Sequence, residues 1–241
     1  MFNCNNYAAN NRFEVGELNQ EQQSLIDTFY STEPVPMLKH PFYIETLFVP
    51  CLGSARYALE VIRAREQVAN KQLSSGQYLA FIFTHERPFR FDAFLRICHK
   101  ITDTKSYWQV LDQVWHDCEN PCAFSNNRIV WCELWRGEYV DHAPLTVPCD
   151  PDNQADIDIY NSLPETFTVY RGGHVEGFSW SLSKDKAAWF ATRSSEFSNN
   201  RFEIHSLEIK KSEVCWFTNA RNELEVIVLS HKSSAETLES F

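Results

Sequence analysis

Two periods run along this chain. Up to about residue 150 the apolar positions recur every three or four residues, and from Phe167 they alternate with polar ones, which predicts helices first and strands afterwards. Leu18, Leu25, Ile26 and Phe29 mark a short amphipathic helix, and the prolines of "STEPVP" stop it. Tyr57, Val61, Ile62, Ala64 and Val68 stripe a second helix over 54–73, ended by Ser-Ser-Gly. The theme continues through Phe94, Leu95, Cys98 and Ile101, then through Trp108, Leu111 and Trp115.

Residues 151–165 read as a loop with a short helix. Four strands follow over 166–171, 178–183, 201–210 and 223–229, all rich in aromatic and branched residues. Among them lies one helix over 183–193, with Ser183 as its N-cap and Asp185 in a first turn that favours an anion. The closing "HKSSAETLESF" reads as a polar tail. The predicted class is α+β: a mainly helical region over 1–150 and a strand-rich region over 151–241, together one compact unit.

Composition narrows the functions. With 44% apolar and 14% aromatic residues in 241 positions, the chain can bury a sizeable core. A formal net charge of -10 argues against an electrostatic grip on nucleic acid or an anionic membrane. It leaves room for a basic partner or a small anionic ligand held locally. The opening stretch lacks the basic and apolar segments of a secretory signal, and no window reaches the length of a membrane span. The cytoplasm is the expected compartment.

The eight cysteines are scattered through a chain too long to need a disulfide framework, so reduced thiols are expected. His116, Cys118, Cys122, Cys132 and His142 lie near one another in sequence, but their spacing fits no common zinc frame, and no metal is expected. Phosphate-binding loop, dinucleotide fingerprint and nucleophile elbow are all missing. "FTHERPF" opens like a zinc-protease helix without its second histidine, so His85 and Glu86 are expected in a solvated loop.

Three patterns in the second half carry chemistry. Ser179, Ser181 and Ser183 share one face of a strand, while Phe178, Trp180 and Leu182 share the other. Glu223 and Glu225, two apart on a predicted strand, point their carboxylates to one face roughly 6 to 7 Å apart. Arg171 follows Tyr170 at a strand end and precedes Gly172 and Gly173, which let backbone come close to a ligand. Its guanidinium is a permanent charge that forks onto phosphate. Taken singly, each pattern is as well explained by a solvated strand face, a charged strand end or a surface ion pair.

Their order changes the weighing. Tyr170-Arg171, then Phe178-Ser179-Trp180-Ser181-Leu182-Ser183, then Glu223-Leu224-Glu225 resembles the mono-ADP-ribosyltransferases of the arginine-serine-glutamate group over about residues 164–230. The upstream "FTHERPFRFDAFLRI" and "YWQVLDQVWHDCEN" are similar to the helical leader of small phage and bacterial proteins that carry this core. The resemblance implies a split, strongly bent β-sandwich with NAD in the cleft between its sheets, packed against the helical half.

It further implies that Arg171 meets the NAD phosphates or nicotinamide ribose, with Tyr170, Trp180 and Ser183 beside the dinucleotide. The Gly172 backbone would meet the nicotinamide amide, and Ser181 would orient the catalytic carboxylate of Glu225. Glu223 would face the acceptor, an arginine of a protein target; Trp216 and Phe217 in the preceding loop would either recognise that target or pack against the sheet. The family pattern often has threonine between its serines, where this chain has Leu182. The expected activity is transfer of ADP-ribose from NAD to a protein, as by a phage or bacterial effector on host machinery. Hydrolysis of NAD, or a catalytically inert binding module on the same fold, are the alternatives.

Overall fold

The computed structural model describes residues 16–46, 50–118, 125–198, 203–229 and 235–240. The chain forms two compact units. One runs to Ile101 and takes in Asp112–Cys118; the other holds Thr102–Leu111 and the chain beyond Cys118. The division therefore falls near residue 101 and not at 150, because Trp108 and Trp135 pack with Trp216 of the strand-rich region, while Asp112–Cys118 stays with the earlier helices.

In the first unit, helix α1 (Gln20–Phe29) starts at Asn19. The Asn19 carboxamide accepts the Gln22 N–H, and the Gln22 side chain accepts the Asn19 N–H, both at 2.9 Å. This reciprocal pair satisfies two amides that the first turn leaves without helical partners. Three short antiparallel strands follow in sheet order: β1 (Tyr30–Ser31), β2 (Met37–His40) and β3 (Tyr43–Thr46). No strand was predicted here, since stretches of two to four residues are too short to display alternation.

Leu38 of β2 is fully buried against Leu25, Tyr43, Ala58 and Ile62. The last two belong to helix α2 (Leu52–Ser74), which covers the predicted helix, but of the expected stripe only Ile62 is buried; Ala58 and Ala69 share its face, and Val68 is 49% exposed. Helices α3 (Tyr78–Thr84) and α4 (Arg90–Ile97) complete the unit with the end of α5 (Thr104–Asp117). Arg90 clamps that end through a 2.8 Å ion pair to Asp117.

The second unit takes the start of α5 and adds α6 (Ser125–Arg136) and α7 (Gln154–Ser162). Its sheet uses β4 (Thr166–Gly172), β5 (Ser179–Ser181), β6 (Glu203–Lys210), β7 (Trp216–Thr218), β8 (Glu225–Ile227) and β9 (Glu236–Ser240). All neighbours pair antiparallel, in the order β7-β8-β5-β4-β6-β9. The mixed helix and antiparallel sheet is the predicted α+β class. Where two sheets around a cleft were expected, the described strands of this unit hydrogen-bond into one.

One face of the sheet presents Val169, Trp180, Leu207, Ile209, Phe217 and Val226 to Tyr160 of α7 and to Cys149. Helix α8 (Lys184–Ser198) packs on the other, joining Ala187 and Ala191 to Ile204 and Tyr170. Gly172 makes this crossing possible: a Cβ there would stand 1.9 Å from the Ala187 carbonyl oxygen. Trp108 of α5 stacks on Trp135 of α6 and on Trp216 of β7 at ring separations of 6.2 and 6.1 Å. No helix among the described residues is long and apolar enough to cross a membrane.

Candidate functional site

Strand pairing lines up one row of residues across the sheet. Thr218 pairs with Glu225, Glu225 with Ser181, and Ser181 with Tyr170. Directly opposed residues share a face, so the Ser181 hydroxyl and Glu225 carboxylate are side by side. Each residue is only 6% exposed. Glu225 and Asp156 are the buried acids among the described residues of this unit.

The serine does something other than expected. Its hydroxyl donates to the backbone carbonyl of Glu223 at 2.7 Å and accepts the Ser183 N–H at 3.0 Å. A hydroxyl has one proton to give, so this donation is not available to Glu225. Ser181 ties the two strand ends together instead. Ser183 is not a strand residue here but the cap of α8, its hydroxyl accepting the Lys186 N–H at 3.3 Å.

Glu223 departs from its predicted place as well. The strand begins at Glu225, and Leu224 has φ +49°, outside any extended conformation. Glu223 and Glu225 are therefore not two steps apart on one strand face. Glu223 belongs to the 219–224 loop and lines a pocket of about 500 Å³ with Ser183, Asp185, Lys186, Trp189, Phe190 and Arg221. That volume lies within the roughly 300–1,000 Å³ range of small-molecule sites. Ser181, Glu225 and Arg171 are not among its lining residues.

Arg171 follows Tyr170 on β4, so its side chain leaves the strand on the opposite side from Tyr170, Ser181 and Glu225. Its Nε donates to the His174 carbonyl at 2.6 Å and its Nη1 to the Ser179 carbonyl. Gly177 is where the guanidinium lies flat: a Cβ there would fall 1.9 Å from Nη2. Arg171 thus braces the turn between β4 and β5. The close approach that Gly172 permits is that of α8, and Tyr170 packs in the same small cluster.

For the aromatic residues the structure selects packing over recognition. Trp180, Trp216 and Phe217 are 4%, 1% and 0% exposed, so none is presented to a target or ligand. They are core because their strands are covered on both faces. Trp189 is 52% exposed at the pocket, with the Arg193 guanidinium 5.2 Å from its ring centre. A sequence signal existed for it: Ala187 and Ala191 mark the helix face that fits against the sheet, and Trp189 falls on the other side. Lys186 and Arg221, the pocket's cations, had no such signal.

The remaining expectations resolve away from this site. His85 is buried, not solvated, and its Nδ1 lies 2.9 Å from the Phe81 carbonyl; Glu86 pairs with Arg65. Burial lowers the His85 pKa below the ordinary histidine value. His116 Nδ1 bonds the Asp112 carbonyl, and His142 stacks on Tyr107. Among the described residues no three His, Cys, Asp or Glu side chains are grouped to hold a metal ion, and Cys122 lies outside them.

Comparison of the chain with protein-family models, with curated proteins and with solved structures finds no match in any of the three.

Proposed function

We propose that the chain is a mono-ADP-ribosyltransferase that moves ADP-ribose from NAD to a protein side chain, an arginine being the acceptor its Glu223-Leu224-Glu225 sequence pattern suits. The observation that carries the reading is the pairing of Ser181 with Glu225, buried in the sheet next to a loop whose Glu223 opens on a pocket. In this reading the bond between nicotinamide and ribose breaks with its electron pair leaving on nicotinamide. Glu225 stabilises the positive charge that grows on the sugar. The acceptor nitrogen then bonds the sugar carbon while Glu223 takes its proton.

The pocket's lining supports the reading: Lys186 and Arg221 would offer positive charge to phosphate, and Trp189 a flat apolar surface to a ring. Arg171, committed to the turn carbonyls, suits a scaffolding role better than phosphate binding. That commitment also favours a second reading, an inert binding module whose acidic surface suits a basic partner.

The test is incubation with labelled NAD and a bacterial lysate, comparing wild type with Glu225→Gln. Label on a discrete protein, reduced about a hundredfold or more in the variant, supports transfer. Nicotinamide release without protein label replaces transfer with hydrolysis, and neither product leaves the inert module standing.

A further inference from the structure

Thr218 and Glu225 are directly paired, so residues 219–224 form a hairpin loop whose last step delivers Glu225 to the sheet. Three of its six residues have left-handed backbone: Arg221 at φ +59°, Asn222 at φ +57° and Leu224 at φ +49°. Only asparagine among these adopts that region with any ease. Such a run persists only where the surroundings over-determine it.

The determinants are visible. Asp156 on α7, 3% exposed, accepts the Asn219 N–H at 3.0 Å from 63 residues away. The Asn219 side chain then crosses the loop and accepts the Leu224 N–H at 3.3 Å. Between these points the Asn219 carbonyl accepts the Asn222 N–H, and the Thr218 hydroxyl accepts the Ala220 N–H. Ser181 holds the Glu223 carbonyl, and the Leu182 N–H holds that of Leu224.

We propose that Asp156 and Asn219 are positioning residues, which through this strained loop set Glu223 at the pocket and Glu225 beside Ser181. The assignment rests on the transferase reading for its catalytic consequence. Asp156 touches neither pocket nor acid; it acts through Asn219. It sits in the first turn of α7, whose Asn153 cap accepts the Asp156 N–H at 3.2 Å, so the anchor itself is fixed by a helix end. Without it the left-handed residues can relax toward ordinary backbone, and Glu223 and Leu224 swing with them.

The experiment compares wild type with Asp156→Ala, Asp156→Asn, Asn219→Ala and Asn219→Asp. One readout is the rate of tryptic cleavage after Arg221, which is exposed in the loop; the other is NAD turnover with NAD affinity measured separately. The alanine variants are expected to be cut about tenfold faster and to lose about ten- to a hundredfold in kcat with NAD Kd within about twofold. Asn at 156 and Asp at 219 keep an oxygen acceptor and are expected to restore both readouts.

If Asp156→Ala does not fold, Asn219→Ala, a change in the loop alone, decides. Cleavage at the wild-type rate in the alanine variants overturns the anchoring. Faster cleavage with unchanged kcat overturns the positioning role. A wild-type chain inert toward NAD removes the transferase reading and the catalytic half of this proposal with it, and the cleavage rates then decide the anchoring alone.

Discussion

Ser181 and Glu225 stand opposite each other on neighbouring antiparallel strands, both buried, while the serine hydroxyl holds the carbonyl of Glu223 at 2.7 Å. One small side chain thereby couples β5, the strand paired with that of Glu225, to the loop that carries Glu223. Ser181→Ala removes that bond and leaves the Ser183 N–H without its acceptor. The expected loss is about 1–3 kcal/mol of folding stability, read from urea unfolding. NAD turnover is expected to fall as well. A midpoint equal to that of wild type contradicts the coupling.

The crossing of α8 over β4 depends on one absent side chain. In Gly172→Ala the new methyl carbon meets the Ala187 carbonyl oxygen at 1.9 Å and the Ala191 nitrogen at 2.6 Å, both of them backbone. Backbone in a packed helix cannot yield as a side-chain tip can, so a cost of about 2–3 kcal/mol or more is expected. Thermal unfolding measures it. A melting temperature unchanged by the methyl means that the helix stands farther from the strand.

Acid should weaken the first unit. His40 and His85 flank the Phe42 ring at 6.0 and 4.3 Å. Burial lowers the pKa of each below 6.5, and their mutual repulsion when charged adds to this for His40. Arg65, Glu86, Arg90 and Arg96 are the charged groups around them among the described residues: Arg65 pairs with Glu86, Arg90 donates to the His85 carbonyl, and Arg96 further disfavours charge on His85.

A base whose folded pKa is depressed binds fewer protons folded than unfolded, so stability rises with pH through this window. Its contribution is whole above the unfolded value of 6.5 and is lost as pH falls through the folded value. Urea midpoints between pH 8 and pH 5 are expected to decline. The decline should be shallower in the His40→Gln, His85→Gln double variant; equal slopes for the two proteins refute the assignment.

The thiols divide by environment. Burial first, then nearby carboxylates, pushes Cys118 and Cys149 up to about 12, and burial raises Cys215 to about 11. A thiol so far above neutrality presents almost no thiolate, the reactive form. At pH 8 these three are expected to resist iodoacetamide in the folded protein and to react in urea, as followed by mass spectrometry of peptides. Rapid labelling of Cys149 in the native state disproves its burial.

How much of this was written locally is best seen element by element. The spacing from Tyr57 to Val68 announced the helix α2, though not its buried face, since Val68 is exposed, and the alternation around Val169 and Leu207 announced β4 and β6, because an element long enough to repeat its period declares its type. Strands β1, β2, β3 and β7 span two to four residues and repeat nothing, and β9 hid in a polar stretch.

Local pattern placed Trp180 on an apolar strand face and Trp189 away from the packed face of α8, but left Trp216 and Phe217 undecided between core and target. Whether a ring meets solvent is a matter of what packs over it. The sequence by itself determined the helix-then-strand order, the serine and acid pattern and the cap of α8, all of which are local. Only the tertiary structure decided that Ser181 lies against Glu225, that Glu223 leaves the strand and that Arg171 turns to its own hairpin. Those outcomes depend on hydrogen bonds such as Ser181 to Glu223 and Asn219 to Asp156, closed across 42 and 63 residues. Such bonds form only after the chain has folded back on itself.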